Sequence, residues 1–375
     1  MGHSVILGFS DEHEELRQVL RRFFAEKSPE SEVRRLMGTE EGYDPTVWKQ
    51  MVSQLDLPGL GIGEDYGGSG SGQHALTVVF EEMGRALVCA PYFSTVALAA
   101  TLLAVSGDEA ARRDCLPGIA SGETIATVAL TEDSGRWDEA GVRMPAVKDG
   151  GSWRLTGEKT YVVDGSVSDL VLVVARTPAG VSLFAVEKSA GTYTAEALST
   201  LDQTRKLARL VFESTPARLI GVEGEGWAAV SRMLDRAAVS LAAEQVGGAR
   251  RVLETAFEYA RSRVQFGQVI GRFQAIKHRC ADLFVELEAA TAALRYATWA
   301  VSDDAADLRM AASLAKVRCS EAYVRVAAES IQIHGAIGFT WEHPAHLYFK
   351  RAKASQLFLG TPACHRAVLV RQTGI

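Results

Sequence analysis

Glu244 is the side chain of this sequence whose surroundings best suit acid–base chemistry. It lies in the stretch Leu-Ala-Ala-Glu-Gln-Val-Gly-Gly at positions 241–248, which is otherwise small and apolar. A carboxylate in such a stretch loses much of its hydration, and desolvation raises a carboxyl pKa toward that of a working base. Asp235 is a weaker candidate, because it precedes Arg236 and is placed to form a surface ion pair. A structural role for Glu244, as a buried glutamate bonded to a neighbouring group, remains equally open.

Three side chains between Arg261 and Gln274 carry groups that can bind a ligand. Arg263 presents a planar set of donors that matches phosphate oxygens. Phe266 offers a flat apolar surface, and Gln274 a neutral amide. Taken singly, such an arginine is more often a solvated surface charge and such a phenylalanine part of a core. Likewise, Gly335 alone indicates only a helix end and a turn.

The composition excludes several classes of protein. The 375 residues are 47% hydrophobic and 23% charged, as in an ordinary soluble globular protein. The net charge of -6 comes from interleaved acidic and basic residues, so no nucleic-acid partner is expected. Five scattered cysteines without a Cys-x-x-Cys pair indicate reduced thiols in the cytoplasm. The segment Met1 to Ser10 shows no signal peptide, and no metal site is predicted.

One stretch, Ala86 to Ser106, is nearly uncharged and close in length to a membrane span. It contains Pro91 and the polar residues Ser94 and Thr95. This pattern predicts a helix end, a break near Pro91 and then a second, buried helix. No membrane span is therefore expected.

Helical periodicity dominates both ends of the chain. A helix is predicted from Ser10 to Met37, with Ser10 and Asp11 as candidate N-caps. A long helix is predicted from Trp227 to Arg263, with two successive glycines at 247 and 248. Each glycine costs about 1 kcal/mol in a helix relative to alanine. The pair therefore predicts a place where another part of the protein packs very close to the backbone.

The middle of the chain has the pattern of a small β domain. Between Ile125 and Ile220, short runs of Val, Leu and Thr are broken by Gly, Asp and Pro. Hairpins are predicted for the segment 170–186 and for the segment 153–163. No alternation of strands and helices is present, which excludes a Rossmann or TIM design. The predicted domains are residues 1–122 (helical), 123–222 (β) and 223–375 (helical).

This order, together with six motifs, resembles the acyl-CoA dehydrogenase superfamily over nearly the whole chain. The most specific motif is RSRVQFGQVIGRFQ at 261–274, which is similar to the family's Arg-x-x-Phe-Gly...Phe-Gln signature. The others are LPGLGIGEDYGGSG at 57–70, VALTE at 128–132 followed by Gly135, GEKTYVV at 157–163, IQIHGAIGF at 331–339 and LFLGT at 357–361. The resemblance implies a mainly α fold: an N-terminal helical domain, a middle β-barrel and a C-terminal four-helix bundle.

The resemblance also implies FAD as cofactor. The residues that match the family's FAD-binding positions are Leu130, Thr131, Gly135, Tyr161, Val163, Arg263, Phe266, Gln274, Gln332, Gly335 and Thr361. In the family, the Arg-x-x-Phe and Gln-x-x-Gly segments reach the FAD of a neighbouring subunit, which implies a homo-oligomer or hetero-oligomer. One departure is Gly335-Ala336, where the family often has Gly-Gly.

The family's catalytic base is missing from its usual positions. The implied reaction removes the α-proton of an acyl-CoA while a hydride leaves the β-carbon, and it needs a carboxylate base. The family's Tyr-Glu-Gly-Thr loop is matched here by Phe-Leu-Gly-Thr at 358–361, which puts Leu359 in place of the glutamate. A second family position is matched by Ala237. Glu244 follows two helical turns later on nearly the same face, and we take it as the hypothetical base.

The resemblance thus implies FAD-dependent α,β-dehydrogenation of an acyl-CoA in fatty acid or steroid degradation. Electrons would pass to an electron-transfer flavoprotein. Two alternatives follow from the missing glutamate. The chain could be the base-deficient partner subunit of a two-chain acyl-CoA dehydrogenase, or a flavin monooxygenase on the same fold.

Overall fold

A computed structural model of the chain describes residues 8–191 and 193–374. Most of the segment Met1 to Ser10, where no signal peptide is predicted, lies outside these residues. The chain forms two compact units, each assembled from separate stretches of sequence. The unit that we call the helical unit contains residues 1–33, 73–88 and 238–375. The other, called the mixed unit, contains residues 34–72 and 89–237.

Helices occupy both ends of the described chain, and strands occupy its middle, which confirms the predicted helical–β–helical order. The α-helices are α1 (Asp11–Lys27), α2 (Glu30–Met37), α3 (Pro45–Leu55), α4 (Gly72–Ala86), α5 (Thr101–Val105), α6 (Glu109–Ala120), α7 (Gly226–Ser262), α8 (Gln274–Ser302), α9 (Leu308–His334), α10 (Ala345–Leu357) and α11 (Pro362–Gln372). The strands are β1 (Ala126–Ala129), β2 (Ala146–Asp149), β3 (Ser152–Val163), β4 (Leu170–Thr177), β5 (Gly180–Glu187), β6 (Tyr193–Ala197), β7 (Leu207–Ile220), β8 (Val264–Gln265) and β9 (Gln268–Val269).

The predicted first helix is in fact two helices. Ser10 caps α1 as predicted, and its side chain accepts a hydrogen bond from the His13 N–H. The helix ends at Lys27, and α2 begins at Glu30. Pro29 stands between them; it carries no N–H to donate and disfavours helical backbone in the residue before it. A single helix from Ser10 to Met37 was therefore the wrong prediction.

The glycine pair in α7 does mark a close approach, as predicted. A Cβ atom at Gly247 would lie 1.8 Å from the carbonyl oxygen of Glu81 on α4. On α4 itself, a Cβ atom at Gly84 would lie 2.0 Å from the carbonyl oxygen of Glu244 on α7. One at Gly248 would lie 2.5 Å from the Tyr323 hydroxyl on α9. The glycines thus let α4 and α7 cross at backbone contact.

The C-terminal helices pack around α9, which contacts α8, α10 and α11. The last of these helices is α11. It begins at Pro362 after the N-cap Thr361, whose hydroxyl accepts from the Cys364 N–H. A proline in the first helical turn needs no hydrogen-bond partner and has the right φ for a helix.

The mixed unit is built on one seven-stranded sheet in the order β1-β4-β5-β7-β3-β2, with β6 also paired to β7. The hairpin β4–β5 is confirmed, with Thr177 opposite Gly180 at its turn. The predicted hairpin within residues 153–163 is wrong, because this segment is the single strand β3, paired with β7. The pairing of β3 with β7 is irregular near Gly157 and Tyr161. The sequence at such an irregularity resembles the sequence of a turn.

The apolar stretch near Pro91 also follows its prediction. The helix α4 ends at Ala86, and a π-helical stretch over Phe93–Ala100 leads into α5. Within the described ranges, no helix combines the length and apolar character needed to cross a membrane.

Candidate active site

An exposed arm follows α7 in the helical unit. The two-residue strands β8 and β9 pair antiparallel, and the chain reverses at Phe266 and Gly267. These residues have φ values of 53° and 78°. Two left-handed residues at the centre of a turn suit the twist of a tight hairpin. The arm therefore projects Phe266 at its tip.

The side chains of the arm are open to a ligand. Phe266 is 91% exposed and meets Phe273 edge-on, with the ring centroids 6.1 Å apart. Arg263 is exposed, and no carboxylate in the described part of the chain pairs with its guanidinium. Gln274 opens α8, where no side chain caps the helix N-terminus. This places a cation, an aromatic face and an amide on one surface.

The C-terminal end of α9 lies at the same end of the helical unit. Tyr259 on α7 and His334 on α9 contact each other, with ring centroids 4.6 Å apart. Gln332 is exposed, and Gly335 has a φ of 66° with open space where a Cβ atom would be, since no described atom would lie within 4 Å of it. Ala336 is also exposed.

We call this region the arm end: Arg263, Phe266, Gln274, Gln332 and Gly335. The structure brings these five predicted FAD-binding residues to one end of the helical bundle.

Four other predicted residues meet in the mixed unit, between the end of β1 and the irregular part of β3. The Thr131 hydroxyl donates to the carbonyl of Thr160, and the Thr160 N–H donates back to the Thr131 carbonyl at 2.9 Å. Tyr161 is left-handed, with a φ of 60°, and is 45% exposed. A Cβ atom at Gly135 would lie 4.0 Å from the Tyr161 ring. The fourth residue, Leu130, is buried just before Thr131.

Lys159 holds the segment from Leu130 to Glu132 in place through hydrogen bonds. It is fully buried, and its ammonium donates to the Leu130 carbonyl at 3.0 Å and to the Glu132 carboxylate at 2.7 Å. Burial lowers the pKa of Lys159 to about 8, against the opposing effect of Glu132. Burial acts to raise the pKa of Glu132, but Lys159 and two backbone N–H groups hold it below its ordinary value. Val163, at the end of β3, accepts from the Thr127 hydroxyl at 2.6 Å.

Glu244, the predicted base, is buried in the helical unit and forms an ion pair. One of its carboxylate oxygens accepts from the Arg351 guanidinium on α10 at 2.9 Å. The two side chains are only 6% and 3% exposed. Asp235, the weaker candidate, is half-buried on the first turns of α7, and Ala237 is fully buried.

The loop after α10 carries Leu359 where the family resemblance predicts a base. Leu359 is 4% exposed and left-handed, with a φ of 60°. Its carbonyl accepts from His365 Nε2 at 3.0 Å, and His365 Nδ1 lies 3.2 Å from the Ser313 hydroxyl. Burial lowers the pKa of His365 to about 4, so the ring is neutral at pH 7. A neutral ring that donates from Nε2 accepts at Nδ1, which fits both contacts.

Lys316 holds the start of the same loop. It is fully buried on α9 and donates to the Ser355 carbonyl at 3.0 Å and the Gln356 carbonyl at 3.1 Å. These are carbonyls of the last turn of α10, which have no partner within their own helix. The ammonium also donates to the Ser320 hydroxyl, which Gln245 contacts in turn at 3.0 Å. Burial lowers the pKa of Lys316 to about 7.

We call this second region the loop end: Glu244, Lys316, Arg351, Leu359, Thr361 and His365. Glu244 lies on α7, 18 residues before its last residue, Ser262, which is about 27 Å along a helix, and the arm begins directly after Ser262. The predicted base and the arm end are therefore far apart.

Sequence reasoning missed four of these residues: Lys159, Lys316, Arg351 and His365. The signal for Lys316 is a lysine within an apolar stretch, Ala-Ala-Ser-Leu-Ala-Lys-Val at 311–317. A buried lysine needs several hydrogen-bond acceptors, and these acceptors can be identified only in the tertiary structure. In the described portion of the chain, no three His, Cys, Asp or Glu side chains are grouped to hold a metal ion.

Three family models match almost the entire chain. They are the acyl-CoA dehydrogenase N-terminal domain over residues 10–123, the middle domain over 127–215 and the C-terminal domain over 224–374.

Related proteins and solved structures match over the same length. Acyl-CoA dehydrogenase IpdE2 of Mycobacterium tuberculosis is 36% identical and covers 94% of each chain. Among structures, the Tcur3481–Tcur3483 steroid ACAD, as a variant, has a TM-score of 0.87 at 32% identity, covering 97% of this chain and 98% of the other. The ChsE4–ChsE5 complex from Mycobacterium tuberculosis has a TM-score of 0.89 at 27% identity, covering 98% of both chains.

Proposed function

Because this chain is an oxidoreductase of the acyl-CoA dehydrogenase family, we propose that it is the base-deficient subunit of a two-chain, FAD-dependent enzyme. This enzyme dehydrogenates an acyl-CoA thioester between its α- and β-carbons. The observation that carries the proposal is the buried ion pair between Glu244 and Arg351. Leu359 and Ala237, at the two positions where the family resemblance predicts a base, have no group that accepts a proton.

The ion pair makes Glu244 a poor proton acceptor. A base must take up a proton during the reaction, and protonation would remove the negative charge that compensates Arg351. Breaking a buried ion pair costs about 3–5 kcal/mol. Arg351 is only 2% exposed, so water offers little compensation. Glu244 as the base of this chain stays a prediction, but its surroundings favour a structural role.

The residues of the arm end suit FAD. Arg263 has an unpaired guanidinium in the described structure, and Phe266 has a free aromatic face. A pyrophosphate and a flat ring system are the ligand groups that such side chains bind. Bound FAD would supply the hydride acceptor. In the mixed unit, the segment from Leu130 to Gly135 would lie against the flavin ring, held in place by Lys159.

The steroid ACAD and the ChsE4–ChsE5 complex support two finer parts of the proposal. One is that the chain works in a hetero-oligomer with a related subunit that supplies the base. The other is that the substrate is a bulky CoA thioester from steroid degradation. Electrons then pass to an electron-transfer flavoprotein in the cytoplasm.

An anaerobic titration of flavin absorbance with a panel of acyl-CoAs tests the proposal. We expect the chain purified alone to show little flavin, or flavin that no thioester bleaches. The complex copurified from its native host should bleach. In that complex, Glu244→Gln should leave the rate of bleaching unchanged if the fold is intact, as should the control Glu321→Gln on the surface. Bleaching by the lone chain that is lost in Glu244→Gln would instead identify Glu244 as the base.

A further inference from the structure

A cleft of about 400 Å³ opens in the helical unit, apart from both the arm end and the loop end. Five helices line it: the last turns of α1, the start of α2, the C-terminal end of α4, the C-terminal half of α7 and the first turn of α10. Its volume falls within the range of small-molecule sites, about 300–1,000 Å³. No residue that we assign to the proposed dehydrogenase function lines this cleft.

Two arginines on the cleft wall have unused hydrogen-bond donors. Arg85 pairs with Glu254 through Nη2 at 2.5 Å, but its Nη1 is buried without a hydrogen-bond partner. No carboxylate in the described structure pairs with Arg251, whose positive charge acts on the Tyr348 hydroxyl and favours its ionised form. That hydroxyl in turn donates to the Arg85 carbonyl at 2.7 Å. The charges of both arginines thus act on the same hydroxyl.

The acidic residues on the lining do not cancel this charge. Glu82 is almost fully buried and already accepts from Arg17 at 3.2 Å and from Arg21 at 2.8 Å. Glu30 is exposed at the entrance of α2. Of the three arginines on the lining, Arg21 pairs with Glu82 and Arg85 pairs with Glu254, whereas no carboxylate in the described structure pairs with Arg251. An anion therefore has the favourable sign for this cleft.

The remaining lining is apolar. Phe24, Leu87 and Leu347 are buried side chains that form part of the wall, and Ala25 lies at the exposed side. A bare inorganic anion would leave this apolar surface in contact with water. An anion with an apolar body would cover it and gain about 25 cal/mol for each Å² removed from water.

We propose that this cleft binds a small organic monocarboxylate, with its carboxylate on Arg251 and Arg85 and its chain against Phe24 and Leu347. The two guanidiniums supply charge-assisted hydrogen bonds, which are about twice as strong as neutral ones. The site is independent of the acyl-CoA reaction. Its ligand would be a second ligand of the protein.

Octanoate is a suitable probe, measured by isothermal titration calorimetry on the protein as it is purified. We expect binding that Arg251→Gln weakens by about tenfold or more, since it removes a charge-assisted contact. Arg22→Gln is the matched control, because Arg22 is an exposed arginine of α1 outside the cleft. Ala25→Trp should also abolish binding by filling the cleft from its exposed side, with little risk to the fold.

Several results would overturn the assignment. Equal octanoate affinity in Arg251→Gln and in the original protein would show that the carboxylate binds elsewhere. If 1-octanol or inorganic phosphate bound as tightly as octanoate, the site would not select for an anion with an apolar body. Octanoate displaced by excess acyl-CoA would be bound at the thioester site. None of these results depends on whether the chain supplies the base of the dehydrogenation.

Discussion

The two ends of the helical unit differ in the exposure of the side chains that could bind a ligand. At the arm end, Arg263 and Phe266 lie on the surface, and Phe266 is 91% exposed. At the loop end, Lys316 and Arg351 are 0% and 2% exposed, and each bonds to named acceptors. The arm end therefore has capacity for a ligand, whereas the loop end uses its polar groups to hold the chain.

This difference decides how a buried carboxylate should be interpreted. Burial alone makes Glu244 resemble a catalytic base, because desolvation favours the protonated form. A buried cation at 2.9 Å has the opposite effect, since it favours the carboxylate. The presence of a buried cation beside a carboxylate, and not its burial, therefore favours a structural role over the role of a base.

The largest effect is expected from breaking that pair. Arg351→Met should lower the free energy of unfolding by about 3–5 kcal/mol, because it removes one partner of a buried ion pair and leaves the Glu244 carboxylate in the interior. Urea denaturation would measure the change. Arg366→Met is the control, since Arg366 pairs with Glu321 on the surface and should matter by less than about 1 kcal/mol. The double variant with Glu244→Leu should recover most of the loss; no recovery would mean that Arg351 acts through other contacts.

A smaller loss is expected where α7 crosses α4. Gly247→Ala should cost about 1–3 kcal/mol of stability, because the added methyl group would collide with the Glu81 carbonyl and force the helices apart. Gly151→Ala should be nearly neutral, since no described atom would lie within 4 Å of its added methyl group. Thermal unfolding of both variants checks this. Equal melting temperatures would contradict the close crossing.

The stability of the folded protein should also depend on pH through His365 at the loop end. Its pKa in the folded protein is about 4, below the ordinary value of 6.5. Between these two values the unfolded chain binds a proton that the folded chain does not, so stability falls as the pH drops through this window. From pH 6.5 to 5 the loss should be about 1.5 kcal/mol.

The pH dependence of urea unfolding isolates this contribution. In His365→Gln the loss between pH 6.5 and 5 should be smaller than in the original protein. The exposed His278 serves as the control, and His278→Gln should keep the original dependence. An unchanged slope in His365→Gln would mean that other groups set the response to acid.

The smallest effect on stability is expected at the arm end. Phe266→Ala should change the free energy of unfolding by less than about 0.5 kcal/mol, because the side chain is exposed. Its affinity for FAD should nevertheless fall roughly tenfold, through loss of aromatic contact. Flavin absorbance per protein measures this on the copurified complex, because the chain alone is expected to hold little flavin. Phe284→Ala, an exposed phenylalanine of α8 outside the arm end, should retain FAD; equal losses in both variants would contradict a specific role for Phe266.

Features that depend on local chemistry could be predicted from the amino-acid sequence. The helical–β–helical order follows from periodicity, and the Ser10 cap from a side chain that bonds its own helix. The glycine pair at 247 and 248 predicted a close packing partner but not that the partner is α4. The family is likewise recognisable from motifs, because each motif is a short continuous segment.

The roles of the buried charges became visible only in the folded chain. Glu244 and Arg351 are 107 residues apart in sequence, and Lys316 bonds carbonyls 39 and 40 residues away. Nothing local connects these residues, because the contacts exist only once α7, α9 and α10 are packed together. The strand β3 was misread for a related reason: its irregular pairing with β7 resembles a turn until the partner strand is known. The role of a buried charge or of an irregular strand depends on the residues that pack against it. A local sequence pattern does not identify those residues.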